Sequence, residues 1–292
     1  MIQPGPSGFD RNLLESPLMS IHRIATCSWS LQPEDPESLV DRLKKTGLKA
    51  VQLALTPLVT DPTRWSDTFS RLEAAGIEVL SGMMEPLEED YSTLESIARS
   101  GGVRPDATWE GNLRMASAIA ECAAANGIEL VTLHAGFIPK DADDPERGIM
   151  LDRLGLIIDV FAEHRVQVAF ETGQETATTL LELLDLLDRS SHLGVNFDPA
   201  NMILYGKGDP IDALQALAPH VLQVHIKDAL PAGAPGSWGS EMPAGEGAVD
   251  WPAFLSIVEG LERPIDLVIE REGGDRRIED IRKAIAMLGD ES

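Results

Sequence analysis

The sequence is poor in cysteine, in basic residues and in long apolar runs, and each shortage excludes a class of protein. Its two cysteines, Cys27 and Cys122, are far apart and form no CxxC pattern, which argues against a disulfide framework and against a cysteine zinc site. No apolar run approaches the roughly 20 residues of a membrane-spanning helix. Residues 1–20 lack the basic start and apolar core of a signal peptide. We therefore expect a soluble, cytoplasmic protein with no membrane partner.

Basic residues are scarce, since 24 Lys and Arg stand against 48 Asp and Glu and leave a formal net charge of −24. The Lys and Arg residues form no run longer than a pair, whereas a nucleic-acid-binding surface needs a concentrated positive field. The charge therefore predicts that nucleic acid is not a partner, and its ordinary consequence is solubility.

Short apolar runs alternate along the chain with longer segments of helical periodicity. The predicted strands cover 23–28, 48–55, 77–84, 128–134, 166–171, 193–198, 221–226 and 265–270. The predicted helices cover 36–46, 62–75, 108–125, 147–164, 175–189, 210–217, 250–261 and 275–288. Several strands are almost continuously apolar, as parallel strands buried on both faces are.

Eight successive β-then-α units predict an α/β protein with a single (β/α)8 TIM barrel. An open doubly wound sheet is the main alternative, but the sequence has neither a GxGxxG nor a GxxxxGK[ST] phosphate loop. We expect one domain over residues 21–292, preceded by a loosely ordered lead-in over residues 1–20. The insertions 85–107 and 227–249 follow the third and seventh strands, and long loops on the C-terminal face are often binding loops.

Five consecutive predicted strands end with a side chain that can bind a metal ion. In chain order these side chains are His134, Glu171, Asp198, His225 and Glu270. Glu171, Asp198 and His225 follow one another at intervals of 27 residues, the length of one βα unit in this chain, so they reach the same height on the C-terminal face. The insertion 227–249 accounts for the longer step to Glu270.

A single carboxylate at a strand end often caps the next helix or meets solvent, but the joint pattern indicates a metal site. Each group follows apolar residues near the barrel axis, where an uncompensated charge is costly. Glu171, Asp198 and Glu270 would repel one another without a cation between them. Together with His225 they predict one divalent metal ion, Mn²⁺ first, with Mg²⁺, Co²⁺ and Zn²⁺ as alternatives. His134 is either a further ligand or a donor to substrate.

The segments around these residues resemble the xylose-isomerase-like TIM barrels, the sugar phosphate isomerase/epimerase superfamily that also contains AP endonucleases. The segments that carry the resemblance are LHAGFIP, FETGQET, NFDPAN, VHIKD, GEGAVDW and LVIERE. The resemblance implies that Glu171, Asp198, His225 and Glu270 are the metal ligands and that the two glutamates form the acid/base pair. Asn201 stands where family epimerases commonly have histidine and where AP endonucleases have a zinc ligand, which puts a trinuclear zinc site in doubt.

The resemblance implies carbohydrate metabolism, by a metal-dependent isomerase or epimerase of a sugar, ketose or sugar phosphate. A divalent cation would stabilise the enediolate that forms when a proton leaves the carbon beside a carbonyl group. Glu171 and Glu270 would carry that proton. Return of the proton to the opposite face gives an epimer, and return to the neighbouring carbon gives an isomer.

Other functions stay open on the same barrel. A lyase or dehydratase acting on a keto-sugar or glycoside would expel a leaving group, and a non-catalytic barrel would only bind a sugar. A DNA-repair AP endonuclease is disfavoured by the net charge and by Asn201. The expected partner is a small sugar-like molecule, and a homo-oligomer is a further expectation. We expect substrate contacts from His134, Lys227, Asp228, Glu246 and Arg271.

Overall fold

The computed structural model describes residues 22–234 and 236–289 and contains a closed barrel of eight parallel strands. The barrel strands are β1 (Ile24–Cys27), β2 (Ala50–Ala54), β3 (Glu78–Met83), β4 (Leu130–Leu133), β5 (Gln167–Glu171), β6 (Leu193–Phe197), β7 (Val221–Ile226) and β10 (Asp266–Ile269). A short antiparallel hairpin of β8 (Asp228–Leu230) and β9 (Ser240–Met242) lies between β7 and β10 in the chain. The barrel closes because β1 pairs with both β2 and β10.

Helices connect the strands around the outside of the barrel. They are α1 (Pro36–Thr46), α2 (Thr56–Thr60), α3 (Pro62–Trp65), α4 (Thr68–Ala74), α5 (Leu94–Ser100), α6 (Asp106–Ala125), α7 (Pro145–Glu163), α8 (Ala177–Leu187), α9 (Pro199–Leu204), α10 (Pro210–Leu217), α11 (Trp251–Glu259) and α12 (Arg277–Leu288). Local sequence signals bound them. Asp250 caps α11 by accepting the Ala253 backbone N–H at 3.1 Å, and Gly47 ends α1 at a φ of +91°.

The structure confirms the predicted TIM barrel, and every predicted strand is found with ends within two residues. The predicted helix 62–75 is two helices, α3 and α4. The insertions 85–107 and 227–249 contain α5 and the β8–β9 hairpin, which were not predicted. Helices α2 and α9 were also not predicted, because elements of five or six residues carry too little periodicity to be recognised.

The alternation of side chains along the strands sends apolar residues to two sides of the barrel wall. Val51, Phe170 and Phe197 belong to the main core between strands and helices. Trp29 packs against a small separate cluster that fills part of the barrel interior and consists of Ala25, Cys27, Ala50, Leu80 and Val268. The remaining interior side chains include a group of fully buried polar residues, which leads to the site described below.

The barrel runs from β1 to α12 and takes up nearly all of the described residues. The expected lead-in over residues 1–20 lies outside them. None of the helices that the structure describes combines the length and the apolar character that crossing a bilayer requires.

Candidate active site

Four ionisable side chains meet at the C-terminal ends of β5, β6, β7 and β10. Nδ1 of His225 lies 3.5 Å from Oε1 of Glu171, 3.6 Å from Oδ2 of Asp198 and 3.3 Å from Oε2 of Glu270. The four atoms lie within 4.8 Å of one another, and all four side chains are buried. The structure thus brings together the residues that the sequence suggested as metal ligands.

Asp198 has one oxygen fixed by the backbone and the other turned to the cluster. It follows β6 and caps α9, because Oδ1 accepts the backbone N–H of Asn201 at 2.9 Å. The hydroxyl of Thr172 fixes the same turn, since it accepts the backbone N–H of Asp198 at 2.8 Å. This local structure leaves Oδ2 directed at His225.

The tautomer of His225 is set by a buried amide. Nε2 lies 2.8 Å from Oε1 of Gln52, and a carbonyl oxygen can only accept, so Nε2 carries the proton. The amide of Gln52 is itself oriented, because its nitrogen donates to the Thr132 hydroxyl at 2.9 Å. The side-chain nitrogen of Asn196, 3.1 Å from the same Nε2, has Oε2 of Glu171 as its acceptor at 3.3 Å. The free lone pair of His225 is therefore on Nδ1, which faces the carboxylates.

These atoms fit a metal ion. Nδ1 of His225 and Oδ2 of Asp198 are buried and have no hydrogen-bond partner within residues 22–234 and 236–289. Buried polar atoms are normally paired, and a cation at the centre of the cluster would satisfy both. A histidine that donates one N–H to the protein and turns its other nitrogen to the site has the usual arrangement of a metal ligand. Three carboxylates and one imidazole suit Mn²⁺, Mg²⁺, Co²⁺ or Zn²⁺.

Buried amides in the barrel interior also orient Glu171. Ser81 donates to Oε1 of Gln223 at 2.6 Å, Gln223 donates to Oδ1 of Asn196 at 3.2 Å, and Asn196 donates to Glu171. The strand pairing shifts register at Gln52 and again at Asn196, and such irregularities redirect side chains beside active sites. The glutamate is thus held by a chain of groups that are fully buried.

The electrostatics of the cluster favour a positive charge at Nδ1 of His225. Burial raises the pKa of Asp198 to about 6, because desolvation outweighs the attraction of Lys227. For Glu270, desolvation is outweighed by Lys227 and His225, which hold its pKa well below the usual range. The pKa of His225 lies well above its usual value, because the acidic neighbours outweigh its own desolvation. Either a proton or a metal ion can supply the charge.

Both glutamates of the cluster are held by N–H donors. Oε1 of Glu171 accepts from the side-chain nitrogen of Asn201 at 2.8 Å. Oε1 of Glu270 accepts from the indole of Trp29 at 2.6 Å, and its Oε2 accepts from Lys227 at 2.8 Å. Each carboxylate is therefore fixed in orientation at the edge of an open space.

That space is a cavity of about 370 Å³ on the C-terminal face. Both insertions reach it, the first through Glu85, Glu89 and Tyr91 and the second through Trp238. Its remaining lining residues are Trp29, Ala54, Met83, His134, Glu171, Asn201, Leu204, Tyr205, Lys227, Glu270 and Glu272. A cavity with aromatic walls and a cluster of ionisable groups on one side suits a small polar substrate.

Two of the five residues expected to contact substrate line this cavity. Nε2 of His134 lies 3.7 Å from Oε1 of Glu171, and Lys227 contacts Glu270. The other three make contacts elsewhere. Asp228 is buried and accepts N–H groups of the loop that follows β9, and Glu246 is exposed and pairs with Lys283 at 2.8 Å.

Arg271 is the third residue whose contacts lie outside the cavity. It is buried and pairs with Glu241 of the hairpin at 2.7 Å and with Asp280 of α12 at 3.0 Å. Its guanidinium therefore ties the hairpin to the last helix, and its charge is already paired within the protein.

The sequence reasoning missed the amides that orient the cluster. Gln52, Asn196 and Gln223 lie inside β2, β6 and β7, in AVQLA, LGVNF and VLQVHI. A polar side chain inside an otherwise apolar strand was the available signal, because a buried amide needs partners. Trp29 and Asn201 were noticed as residues, but their hydrogen bonds to the two glutamates became visible only in the structure.

Two curated proteins are similar to parts of the chain. The uncharacterized protein YihM of Escherichia coli K12 is 44% identical over 78 residues, which cover 26% of this chain and 24% of YihM. The 3-dehydroshikimate dehydratase of Bacillus anthracis is 34% identical over 91 residues, which cover 30% of this chain and 32% of that enzyme. The matched segments thus span about a quarter and about a third of these relatives.

Solved structures are similar over the whole barrel. The xylose isomerase domain protein from Planctomyces limnophilus superposes with a TM-score of 0.77 at 28% identity and covers 91% of this chain and 94% of its own. The 3-keto-D-glucoside 4-epimerase YcjR from E. coli has a TM-score of 0.69 at 16% identity, covering 91% and 98%. A xylose isomerase-like TIM barrel protein from Mycobacterium smegmatis, in complex with magnesium, has a TM-score of 0.68 at 14% identity, covering 93% and 97%.

The sequence profile of the xylose isomerase-like TIM barrels matches residues 40–290. The match covers most of the chain and includes Glu171, Asp198, His225 and Glu270. The protein therefore belongs to the xylose isomerase-like TIM barrel family.

Proposed function

We propose that the protein is a divalent-metal-dependent enzyme that epimerises or isomerises a sugar by moving a proton on the carbon beside its carbonyl group. The observation that carries the proposal is the convergence of three carboxylates and one imidazole within 4.8 Å at the edge of a cavity. A divalent cation held there, Mn²⁺ first and Mg²⁺, Co²⁺ or Zn²⁺ as alternatives, would stabilise the negative charge that develops when the proton leaves.

Glu171 and Glu270 carry the proton in this proposal. Both line the cavity, and each is held by a neutral N–H donor, from Asn201 and from Trp29. Burial opposes ionisation of Glu171, but His134 and His225 lower its pKa, so both glutamates are ionised near neutral pH and can accept a proton. Positioned carboxylates of this kind contribute about 10²–10⁴-fold to a rate.

Asp198 and His225 bind the metal in this scheme and carry no proton. His134 and Lys227 face the cavity and contact substrate oxygens. The contacts of Asp228, Glu246 and Arg271 give these residues roles in supporting the loops. We further propose that the physiological ligand is a small sugar-like molecule and not nucleic acid, because carboxylates dominate the cavity wall. A cytoplasmic location and a homo-oligomeric state stay predictions from the sequence.

Dehydration of a keto-sugar is the second candidate, favoured by the similarity to the 3-dehydroshikimate dehydratase of Bacillus anthracis. It begins with the same proton transfer. The two reactions then differ in the fate of the neighbouring carbon, which regains a proton in an epimerase and loses a hydroxyl group in a dehydratase.

Solvent deuterium uptake tests the proposal. The Mn²⁺-loaded protein is incubated in heavy water with a panel of ketoses, aldoses, keto-glycosides and inososes, and the products are followed by mass spectrometry and NMR. We expect one substrate to gain a single deuterium beside its carbonyl group and to form an epimer or isomer. Loss of the mass of water would favour the dehydratase. Absence of exchange with every substrate, in protein that binds metal, would contradict both candidates.

A further inference from the structure

The wall of the cavity carries more carboxylates than cationic groups. Its ionisable side chains are Lys227, His134, Tyr91, Tyr205 and the glutamates Glu85, Glu89, Glu171, Glu270 and Glu272. Within the described part of the chain, no arginine lines the cavity. A divalent cation balances two of the three carboxylates that would bind it, so the wall stays negative and repels an anionic substrate group.

The positive charge of Lys227 is already paired. Nζ lies 2.8 Å from Oε2 of Glu270 and 2.7 Å from Oε2 of Glu272. It also lies 3.5 Å from Oδ1 of Asn201 and 3.8 Å from Oδ2 of Asp198. An ammonium group has three N–H donors, and these oxygens surround it. Lys227 can therefore contact a hydroxyl group but has no uncompensated charge for a phosphate.

The loop after the seventh barrel strand contains a nest of backbone N–H groups, which is where many TIM barrels bind phosphate. In this chain an internal carboxylate fills the nest. Oδ2 of Asp228 accepts the N–H groups of Gly245 and Gly247 at 2.9 and 3.0 Å, and Oδ1 accepts that of Val249 at 3.1 Å. The indole of Trp251 adds a donor at 2.9 Å.

The loop after the eighth barrel strand is filled in the same way. Oε1 of Glu241 accepts the backbone N–H of Glu272 at 2.9 Å, and Oε2 accepts that of Gly273 at 3.0 Å. Arg271 also donates to Glu241. The two loops that offer a phosphate site in this fold therefore bind carboxylates of the protein itself.

We propose that the substrate is an uncharged polyhydroxy aldehyde or ketone with neither a phosphate nor a carboxylate group. This inference rests on the proposed function and narrows it. Trp29, Tyr205 and Trp238 offer flat apolar surfaces to the C–H faces of a sugar. Nδ1 of His134 is buried without a hydrogen-bond partner among the described residues, which suits a substrate hydroxyl group.

Matched pairs of substrates test the inference. Deuterium uptake and kcat/KM are measured with Mg²⁺-loaded protein for D-fructose, D-tagatose and D-psicose and for the 6-phosphate of each. We expect kcat/KM to be at least about 10²-fold higher for the free ketose that reacts best than for its phosphate. Equal or better turnover of a phosphate would overturn the inference while leaving the proposed function intact.

Binding decides the matter if no ketose reacts in either form, an outcome that would count against the proposed function. Calorimetry is then carried out with inorganic phosphate and with D-mannitol 1-phosphate as probes. Submillimolar binding of either probe would overturn the inference, and the absence of such binding would support it.

A variant tests the pairing of Lys227. Glu272→Gln removes one of its two close carboxylates, so we expect the preference for the free ketose to fall about tenfold. Glu279→Gln is the matched control, because Glu279 is exposed on α12 and does not line the cavity. An unchanged preference in Glu272→Gln, or an equal fall in both variants, would contradict the role assigned to Lys227.

Discussion

The side-chain carbonyl of Gln52 lies 2.8 Å from Nε2 of His225 and accepts its proton. Gln52 is in β2 and His225 in β7, on different sides of the barrel axis, so the hydrogen bond spans the interior. It leaves Nδ1 of His225 unprotonated when a metal binds and turns that atom toward Glu171, Asp198 and Glu270. The properties of the candidate metal centre thus depend on a residue that lies outside it.

Replacement of Gln52 should weaken metal binding. Gln52→Leu removes the acceptor for Nε2–H of His225, and loss of such a supporting hydrogen bond commonly costs about 10- to 100-fold in metal affinity. Titration with Mn²⁺, followed by calorimetry, measures the change. Gln167→Leu is the control, because Gln167 opens β5 and bonds the backbone of Ser191 instead. Equal affinities in Gln52→Leu and the unaltered protein would contradict the assignment.

Removal of the basic oxygen of either glutamate should abolish most turnover. Glu171→Gln and Glu270→Gln keep the size of the side chain and one carbonyl oxygen, so we expect losses of about 10²–10⁴-fold in kcat at saturating metal. Asp198→Asn should instead lower metal affinity first and regain more activity in excess metal. Glu129→Gln, on the exposed outer surface, should change neither quantity. Full activity of both glutamine variants would require other proton carriers.

Metal binding should stabilise the protein more at about pH 8 than at about pH 6. The pKa of His225 is raised in the metal-free protein, so a proton competes with the metal for Nδ1. The metal-free protein also loses the stability provided by the charged ring as the pH rises through that pKa. At a Mn²⁺ concentration of 100 times Kd, binding adds about 2.7 kcal/mol. Melting curves with and without Mn²⁺ measure the difference, and equal shifts in Tm at both pH values would contradict the prediction.

Arg271 should be important for stability. Arg271→Met leaves Glu241 and Asp280 buried without their counter-ion, and breaking a buried ion pair in this way costs about 3–5 kcal/mol. Arg276→Met is the control, because the exposed pair of Arg276 with Glu279, at 3.8 Å, contributes about 0–1 kcal/mol. Urea unfolding of the metal-free variants measures both. Similar losses in the two variants would show that Arg271 does not hold the hairpin to α12.

The protein should not bind abasic duplex DNA at physiological salt or cleave it with Zn²⁺. A net charge of −24 leaves little to gain from the release of counterions. Fluorescence anisotropy at low and at physiological salt tests the first point, and a gel cleavage assay tests the second. Salt-sensitive binding at micromolar concentrations would favour a repair nuclease.

Much of this architecture could be predicted from the sequence. The alternation of apolar runs and helical segments is a local property, and a parallel barrel follows from eight such units because their connections are short and of one hand. The position of Glu171, Asp198, His225 and Glu270 at strand ends was equally local. Since every strand of the barrel runs in the same direction, a residue that ends a strand must lie on the C-terminal face.

The partners of these side chains could not be predicted in the same way. Asp228 and Arg271 adjoin the cluster in the chain, yet Asp228 accepts N–H groups 17 to 21 residues away and Arg271 pairs with Glu241, 30 residues away. The sequence by itself determined the barrel and which side chains reach its C-terminal face. Tertiary structure alone decided which of them face the cavity and which are paired within the protein, because a carboxylate or guanidinium binds the nearest complementary groups that the folded loops bring to it.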